Sequence, residues 1–368
     1  MTRKAKLAGL LSGAALSLLA LVPPAMPETP SFGTVAQGDP GMALWMNAAW
    51  RNFLAAFVTD DGAVQDDANN DISHSEGQGY GMLMAVAAGD RDAFERIRDF
   101  AIANLQVRED NLFAWKVERT GEAGAYEVTD SNNATDGDLL IAWALVEAYK
   151  RWGNENDARL AADIYRDILS DLVIDTPYGP ALLPGMEGFE SEDATTFNLS
   201  YWVYPAFEAA GSVDSSGLWE GISSSGDALL TAAQQAPSYL PPDWIEINPD
   251  GVAPSRQFED AFGYNAVRIP LYLAFDDDPK RQDLAADFAT RQMGGAAVVE
   301  TSSGEWLGQM QGRGYSAIAA LSRCLHDGTP LNGSLLKLGG DNYYPTALQF
   351  LTVVLIAERY PSCLSLEH

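Results

Sequence analysis

The feature that most constrains this chain is a recurring way of opening helices. SEGQGYG near residue 75, ATDGDLL near 134, NLSYWVY near 198 and FGYNAVR near 262 each precede an apolar helical stretch, at intervals of about 60 residues. GRGYSAI near 312 and DNYYPTA near 341 add two more. Each is rich in tyrosine, glycine or carboxylate, and most are followed by a plainer helix. Such a period fits helical hairpins in which one helix of each pair carries polar groups to a common place, and hairpins closed in a ring bury a continuous core. The sequence therefore predicts an all-α ring of inner and outer helices, in preference to an irregular helical bundle whose caps are polar by chance.

Periodicity places helices near 39–58, 75–89, 91–105, 136–153, 154–172, 198–211, 214–236, 260–275, 279–297, 312–326 and 342–360, with no clean twelfth. In DLLIAWALVEAYKRW, Leu139, Ala142, Trp143, Val146 and Tyr149 fall on or near one face. NLFAWKVERT and AYEVTD read as a minor β-hairpin around GEAGA. No low-complexity linker follows residue 40, so residues 38–362 are expected to form one domain.

Ahead of it, Arg3, Lys4 and Lys6 precede the uncharged LAGLLSGAALSLLALV. That run is short for a membrane span and right for a signal h-region, so residues 1–30 read as an export segment and the protein as secreted or periplasmic. No other stretch is apolar enough to span a bilayer, so no stable membrane association is expected once the signal is removed. Cys324 and Cys363 could pair in an oxidising compartment or remain buried thiols. A net charge of −28 argues against nucleic acid and anionic lipid as partners.

The three histidines lack metal-ligand spacing, and neither G-x-S-x-G nor a P-loop occurs, so no metal or cofactor is expected. DDANND at 66–71 lacks the glycine and closing glutamate of an EF-hand, and DDDPK at 276–280 lacks the final acid of a diphosphate site. Both read as solvated surface.

Carboxylates and aromatics remain. Glu76 sits in the first turn of its helix, where Ser75 and Gln78 resemble a capping box. Gly77, Gly79 and Gly81 would strip side chains from the helix beside the acid and open its backbone to something bulky. A helix N-terminus lowers a carboxyl pKa, whereas a general acid at neutral pH needs it raised. A second carboxylate or partial burial must outweigh the dipole. Asp136 and Asp138 open another helix, one more than an N-cap requires. Trp115, Tyr80, Tyr201, Trp202, Tyr204, Tyr264, Tyr343 and Tyr344 lie in or near the same openings, which favours a groove for sugar rings.

ATDGDLLIAWALVEAYKRW, residues 134–152, is similar to the signature of glycoside hydrolase family 8, and SEGQGYGMLMAV resembles that family's general-acid motif with Glu76 as proton donor. NLSYWVYPAF, PPDW and GYNAVRIPLYLAF follow in the family's order, so the resemblance covers residues 40–360 and is strongest to endoglucanases of bacterial cellulose synthesis. It implies an (α/α)6 barrel with minor β-hairpins, an open cleft for a β-1,4-linked chain, and hydrolysis by an inverting pair of carboxylates. It also implies Asp136 as the second carboxylate, Tyr80, Trp115, Tyr201, Tyr264, Arg268 and Tyr343 as substrate-binding residues, and the cellulose-synthesis machinery as a candidate partner.

One position departs from the pattern. Many members carry the base aspartate in Y-D-A-x-R, and here the motif is YNAVR with Asn265. Asp136 is the first replacement to consider. Asp260 and Glu259 come next, with Asn265 positioning the water. The expected function is an endo-β-1,4-glucanase acting on cellulose-type chains. The rivals are a xylanase or chitosanase of the same family, and a non-catalytic glucan-binding accessory.

Overall fold

The computed structural model describes residues 30–120, 125–292 and 296–364. Residues 1–29 of the expected export segment, and most of GEAGA, lie outside them.

Asp39 starts the first long helix. Its carboxylate accepts the Met42 N–H at 2.8 Å, and Pro40 supplies a preset φ at the first helical position. This helix, α2 (Pro40–Phe57), follows the short α1 (Thr34–Gln37). Next come α3 (Ser75–Ala88), α4 (Arg91–Asn104), α5 (Thr135–Trp152), α6 (Glu155–Asp171), α7 (Tyr204–Ala210) and α8 (Trp219–Ala233). The last four are α9 (Ile269–Ala274), α10 (Pro279–Arg291), α11 (Arg313–Asp327) and α12 (Tyr343–Arg359).

Six of these close a ring. Helix α3 packs on α5, α5 on α7, α7 on α9, α9 on α11, α11 on α12, and α12 returns to α3. Outside them, α4 covers α3, α6 covers α5, α8 covers α7, α10 covers α9 and α11, and α2 covers α12 and α3. The fold is an (α/α)6 barrel. Composition sorts the shells: α3, α5 and α12 are buried nearly all round, whereas α4 and α6 bury one stripe and expose charge on the other.

The outer place between α11 and α12 holds no α-helix among the described residues, which is why periodicity finds no twelfth. Residues 328–342 make a single 3-10 turn there, Gly333–Leu336, held from below as Gln349 Nε2 donates to Leu335 O at 2.5 Å and Lys337 O at 2.9 Å. Cys324, near the end of α11, and Cys363, just after α12, form a disulfide with Cα atoms 5.8 Å apart.

Small antiparallel sheets fill the connections. Strands β1 (Ser73–His74), β2 (Ala114–Thr120) and β3 (Ala125–Asn133) form one, containing the predicted hairpin. Strands β4 (Val173–Thr176) and β5 (Gly179–Leu182) pair. Strands β6 (Thr195–Phe197), β7 (Ile245–Asn248) and β8 (Gly251–Pro254) form a third sheet. Strands β9 (Ala261–Phe262), β10 (Ala297–Glu300) and β11 (Trp306–Gln309) form the fourth, with β10 central.

Several expected helices, among them 198–211, 214–236, 260–275 and 279–297, are shorter than periodicity suggests, two of them for evident local reasons. The stretch at 260–275 becomes α-helical only at Ile269, after a 3-10 turn at Ala266–Arg268, because the half-buried Asp243 carboxylate gathers the N–H groups of Gly263, Asn265 and Ala266 into a turn. The stretch at 198–211 divides into a 3-10 turn capped by the Asn198 side chain and an α-helix restarted at Tyr204–Pro205.

Candidate active site

All six inner helices bring their N-terminal ends to one cleft of about 950 Å³. Glu76 comes from α3, Asp136 from α5, Tyr201 from just before α7, Tyr264 and Asn265 from just before α9, Tyr315 from α11, and Tyr343 and Tyr344 from α12. This convergence is what the recurring polar openings encode.

The glycines around Glu76 do a different job from the one expected. A Cβ at Gly79 would stand 2.5 Å from Leu140 Cβ on α5, and one at Gly81 would stand 2.7 Å from Val64 Cγ2. They let neighbouring elements approach α3 rather than clear the cleft floor. Gly77 alone faces cleft-lining atoms, with Tyr343 OH and the His74 ring beside it. The capping box is also absent. His74 is the N-cap, its Nδ1 accepting the Gly77 N–H at 3.0 Å, while Gln78 turns inward to hold Val64 N, Gly62 O and Ile97 O. Histidine is outside the ordinary capping set, so sequence gave no signal for it.

Arg268 organises the charge. Its Nη1 contacts Glu76 Oε2 and lies 3.1 Å from Asp136 Oδ2, and donates to Tyr80 OH at 3.4 Å. Its Nη2 donates to Ser200 Oγ at 2.8 Å and Asn265 Oδ1 at 3.2 Å. The guanidinium carbon lies 5.8 Å from the ring centres of both Tyr201 and Tyr344, within cation–π range. Burial pushes the Asp136 carboxyl up, Arg268 pulls it back, and the neighbouring Glu76 carboxyl raises it again, to about 7. Asp136 is thus the second carboxyl that the opening motif required beside Glu76. It therefore holds its proton up to about pH 7 beside the Glu76 carboxyl. Both line the cleft, and Glu76, with 19% of its side chain exposed against 3% for Asp136, is the more open member of the pair.

The matching family model, Glycosyl hydrolases family 8, spans residues 40–358. The chain belongs to this family. This family 8 glycoside hydrolase is 33% identical to a probable endoglucanase of Novacetimonas hansenii over 84% of its own length and 90% of that protein. It is 36% identical to an endoglucanase of Cellulomonas uda over 63% of its length, an alignment spanning just under two thirds, 64%, of that relative. Its fold superimposes on the endo-β-1,4-glucanase of Acetobacter xylinum with a TM-score of 0.76 at 31% identity, covering 86% of this chain and 99% of that one.

Not every residue expected to bind substrate lines the family 8 cleft. Trp115, Tyr201, Tyr264, Asn265 and Tyr343 line it, Tyr264 with half its surface exposed. Tyr80 does not: it is fully buried beneath Arg268, its hydroxyl 2.6 Å from Tyr272 OH. Arg268, at 1% exposure and outside the cleft lining, holds the carboxyl pair from behind. Asp260 is turned away, accepting from Thr301 Oγ1 and from Ser302 N at 3.2 Å, and neither it nor Glu259 lines the cleft. Asp138 accepts Phe113 N and Asn133 Nδ2, both at 2.8 Å, anchoring the start of α5 to the hairpin.

Asp136 cannot fill the place of an inverting base as first expected. An inverting pair stands about 6.5–9.5 Å apart to admit a water, whereas Asp136 and Glu76 meet at a single nitrogen. Among the described residues, the cleft carboxylates free of Arg268 are Asp66, with His74 Nε2 at 3.5 Å, and Asp341, with Arg313 Nε at 2.9 Å. Sequence reasoning missed both, because Asp66 lies in the acidic run taken for solvated surface.

Proposed function

We propose that this hydrolase is an endo-β-1,4-glucanase that cleaves cellulose-type chains with inversion. The observation that carries the reading is the Glu76–Arg268–Asp136 cluster at the floor of an open, tyrosine-lined cleft. An open cleft accepts an internal stretch of polymer, and flat apolar sugar faces match Trp115, Tyr201 and Tyr264. Glu76 donates its proton to the glycosidic oxygen as the bond to the anomeric carbon breaks. Asp136 holds hydroxyls of the sugar at the scission point by hydrogen bonds that strengthen in the transition state. Asn265 orients the attacking water, its amide being both donor and acceptor. The water's proton passes to Asp66 or Asp341. The two carboxyl groups and a water suffice for this chemistry, with no cofactor.

The basic-then-apolar N-terminus supports export to the periplasm or beyond, where the enzyme would meet nascent glucan beside a cellulose-synthesis machinery. Release of reducing ends from carboxymethylcellulose, xylan and chitosan tests the substrate, with Glu76→Gln as control. Turnover confined to the glucan is expected. Preference for xylan or chitosan would overturn the assignment, and binding of glucan without any release would mark an accessory.

A further inference from the structure

Trp115 and Asn69 line two hollows at once: the catalytic cleft, and a second groove of about 460 Å³ adjoining it. We propose that the substrate path continues past Trp115 and that Asn69, Asn70 and Arg119 bind a further glucosyl unit of the same chain there. The inference rests on the glucanase reading and extends it.

Two features of the walls are unusual for plain surface. Asn70 and the next residue, Asp71, both have φ of 55°, a left-handed conformation uncommon for non-glycine residues that clusters at ligand clamps. The loop is fixed in that shape by three backbone bonds to one residue: Asp66 N donates to Ile72 O at 2.9 Å, and Asn69 N and Asp71 N donate to Asp66 O at 3.0 Å each. Opposite it, β2 departs from regular pairing on both sides of Lys116. In a regular strand consecutive side chains point to opposite faces. Here Trp115 and Lys116, and then Glu118 and Arg119, all reach the groove, the re-aiming that bulges produce beside active sites.

The groove's chemistry suits a neutral, hydroxyl-rich ligand. Its three amides, Gln65, Asn69 and Asn70, each offer donors and an acceptor. Lys116 Nζ is paired to Glu118 Oε1 at 2.5 Å, and Asp71 offsets Arg119, so no net charge selects an ion. The acidic run around Asn69 is therefore a wall of the binding groove.

The test compares kcat/KM on cellotetraose and cellohexaose for wild type and the double variant Asn70→Gly, Arg119→Ala. Glycine adopts the positive φ of Asn70 freely, so the loop keeps its shape. Wild type should favour the hexaose. The variant should keep its tetraose rate and lose roughly tenfold on hexaose, the worth of one or two sugar hydrogen bonds. Equal losses on both substrates, or no loss on the hexaose, would overturn the proposal. Calorimetry with Glu76→Gln separates this from failure of the glucanase reading. An enzyme that turns over neither oligosaccharide, yet binds hexaose more tightly than tetraose through Asn70 and Arg119, would sink that reading and leave the groove standing. Equal binding of the two would sink the groove.

Discussion

Gly137 of α5 lies against Ser75 of α3 with no room for a methyl group between them. A Cβ at Gly137 would stand 2.0 Å from Ser75 Oγ and 2.9 Å from the Glu76 backbone nitrogen. Together with Gly79 against Leu140, this contact sets the spacing of two helix starts, and so the meeting of Glu76 with Asp136. Gly137→Ala should cost about 1–3 kcal/mol of stability, as overpacking does. It should also lower kcat by more than the folded fraction explains. Activity assayed well below the melting transition separates the two effects. A variant that folds with unchanged kcat would break the link between this contact and the site.

Glu76→Gln keeps the shape of the side chain and removes the transferable proton. Loss of a general acid costs about 10²–10⁴ in rate. Retained binding of cellohexaose with that loss in kcat is the expected result, and near-normal turnover would remove Glu76 from the role of donor.

The missing base is decided by isosteric substitutions read together. Either Asp66→Asn or Asp341→Asn should reduce kcat by about 10²–10⁴, the cost of a lost acid–base group, while the other changes it little. Asp260→Ala should leave activity nearly intact, since Asp260 is held by Thr301 and Ser302 away from the cleft. Asn265→Asp should preserve or raise turnover by restoring the family's carboxylate. Full activity in both the Asp66 and Asp341 variants would move the base elsewhere.

Burial raises Asp136 and Asp138 each to about 7, and Glu358 likewise. An unfolded carboxyl titrates near pH 4, so these groups bind protons more tightly in the folded state. Their contribution to stability is fully present below about pH 4 and is lost as the pH rises through about 7. The melting temperature should accordingly be higher at pH 5 than at pH 8. Asp138→Asn, which stays neutral throughout, should narrow that difference. Because Asp136 belongs to the carboxyl pair, kcat/KM should also decline above about pH 7, and a flat profile between pH 5 and 9 would count against a proton held by Asp136.

The barrel was legible because its repeat is written in the polar helix starts, which occur wherever an inner helix reaches the cleft. Glu76 and Asp136 were legible for the same reason. Tyr80 misled: a tyrosine in such an opening can face the cleft, as Tyr264 does, or lie beneath it against Tyr272. Asp66 and His74 were illegible because their roles come from tertiary pairing. A histidine cap and a carboxylate within an acidic run have no local pattern to announce them. The glycines of α3 signalled closeness correctly, but not what comes close.

The barrel's seam lies between its first and last inner helices. Tyr343 N donates to Asp67 Oδ1 at 2.8 Å across 276 residues of chain, so ring closure is among the most non-local events in folding. The Cys324–Cys363 bond acts on that event before it happens. Linking residues 39 apart, it keeps α11 and α12 together as a tethered pair in the unfolded chain and removes loop-closure entropy worth roughly 3–4 kcal/mol. It spans the one side of the barrel where a 3-10 turn replaces an outer helix. A covalent strap thus stands in for a missing stave, and in a reducing compartment the same sequence would have to close its ring without it.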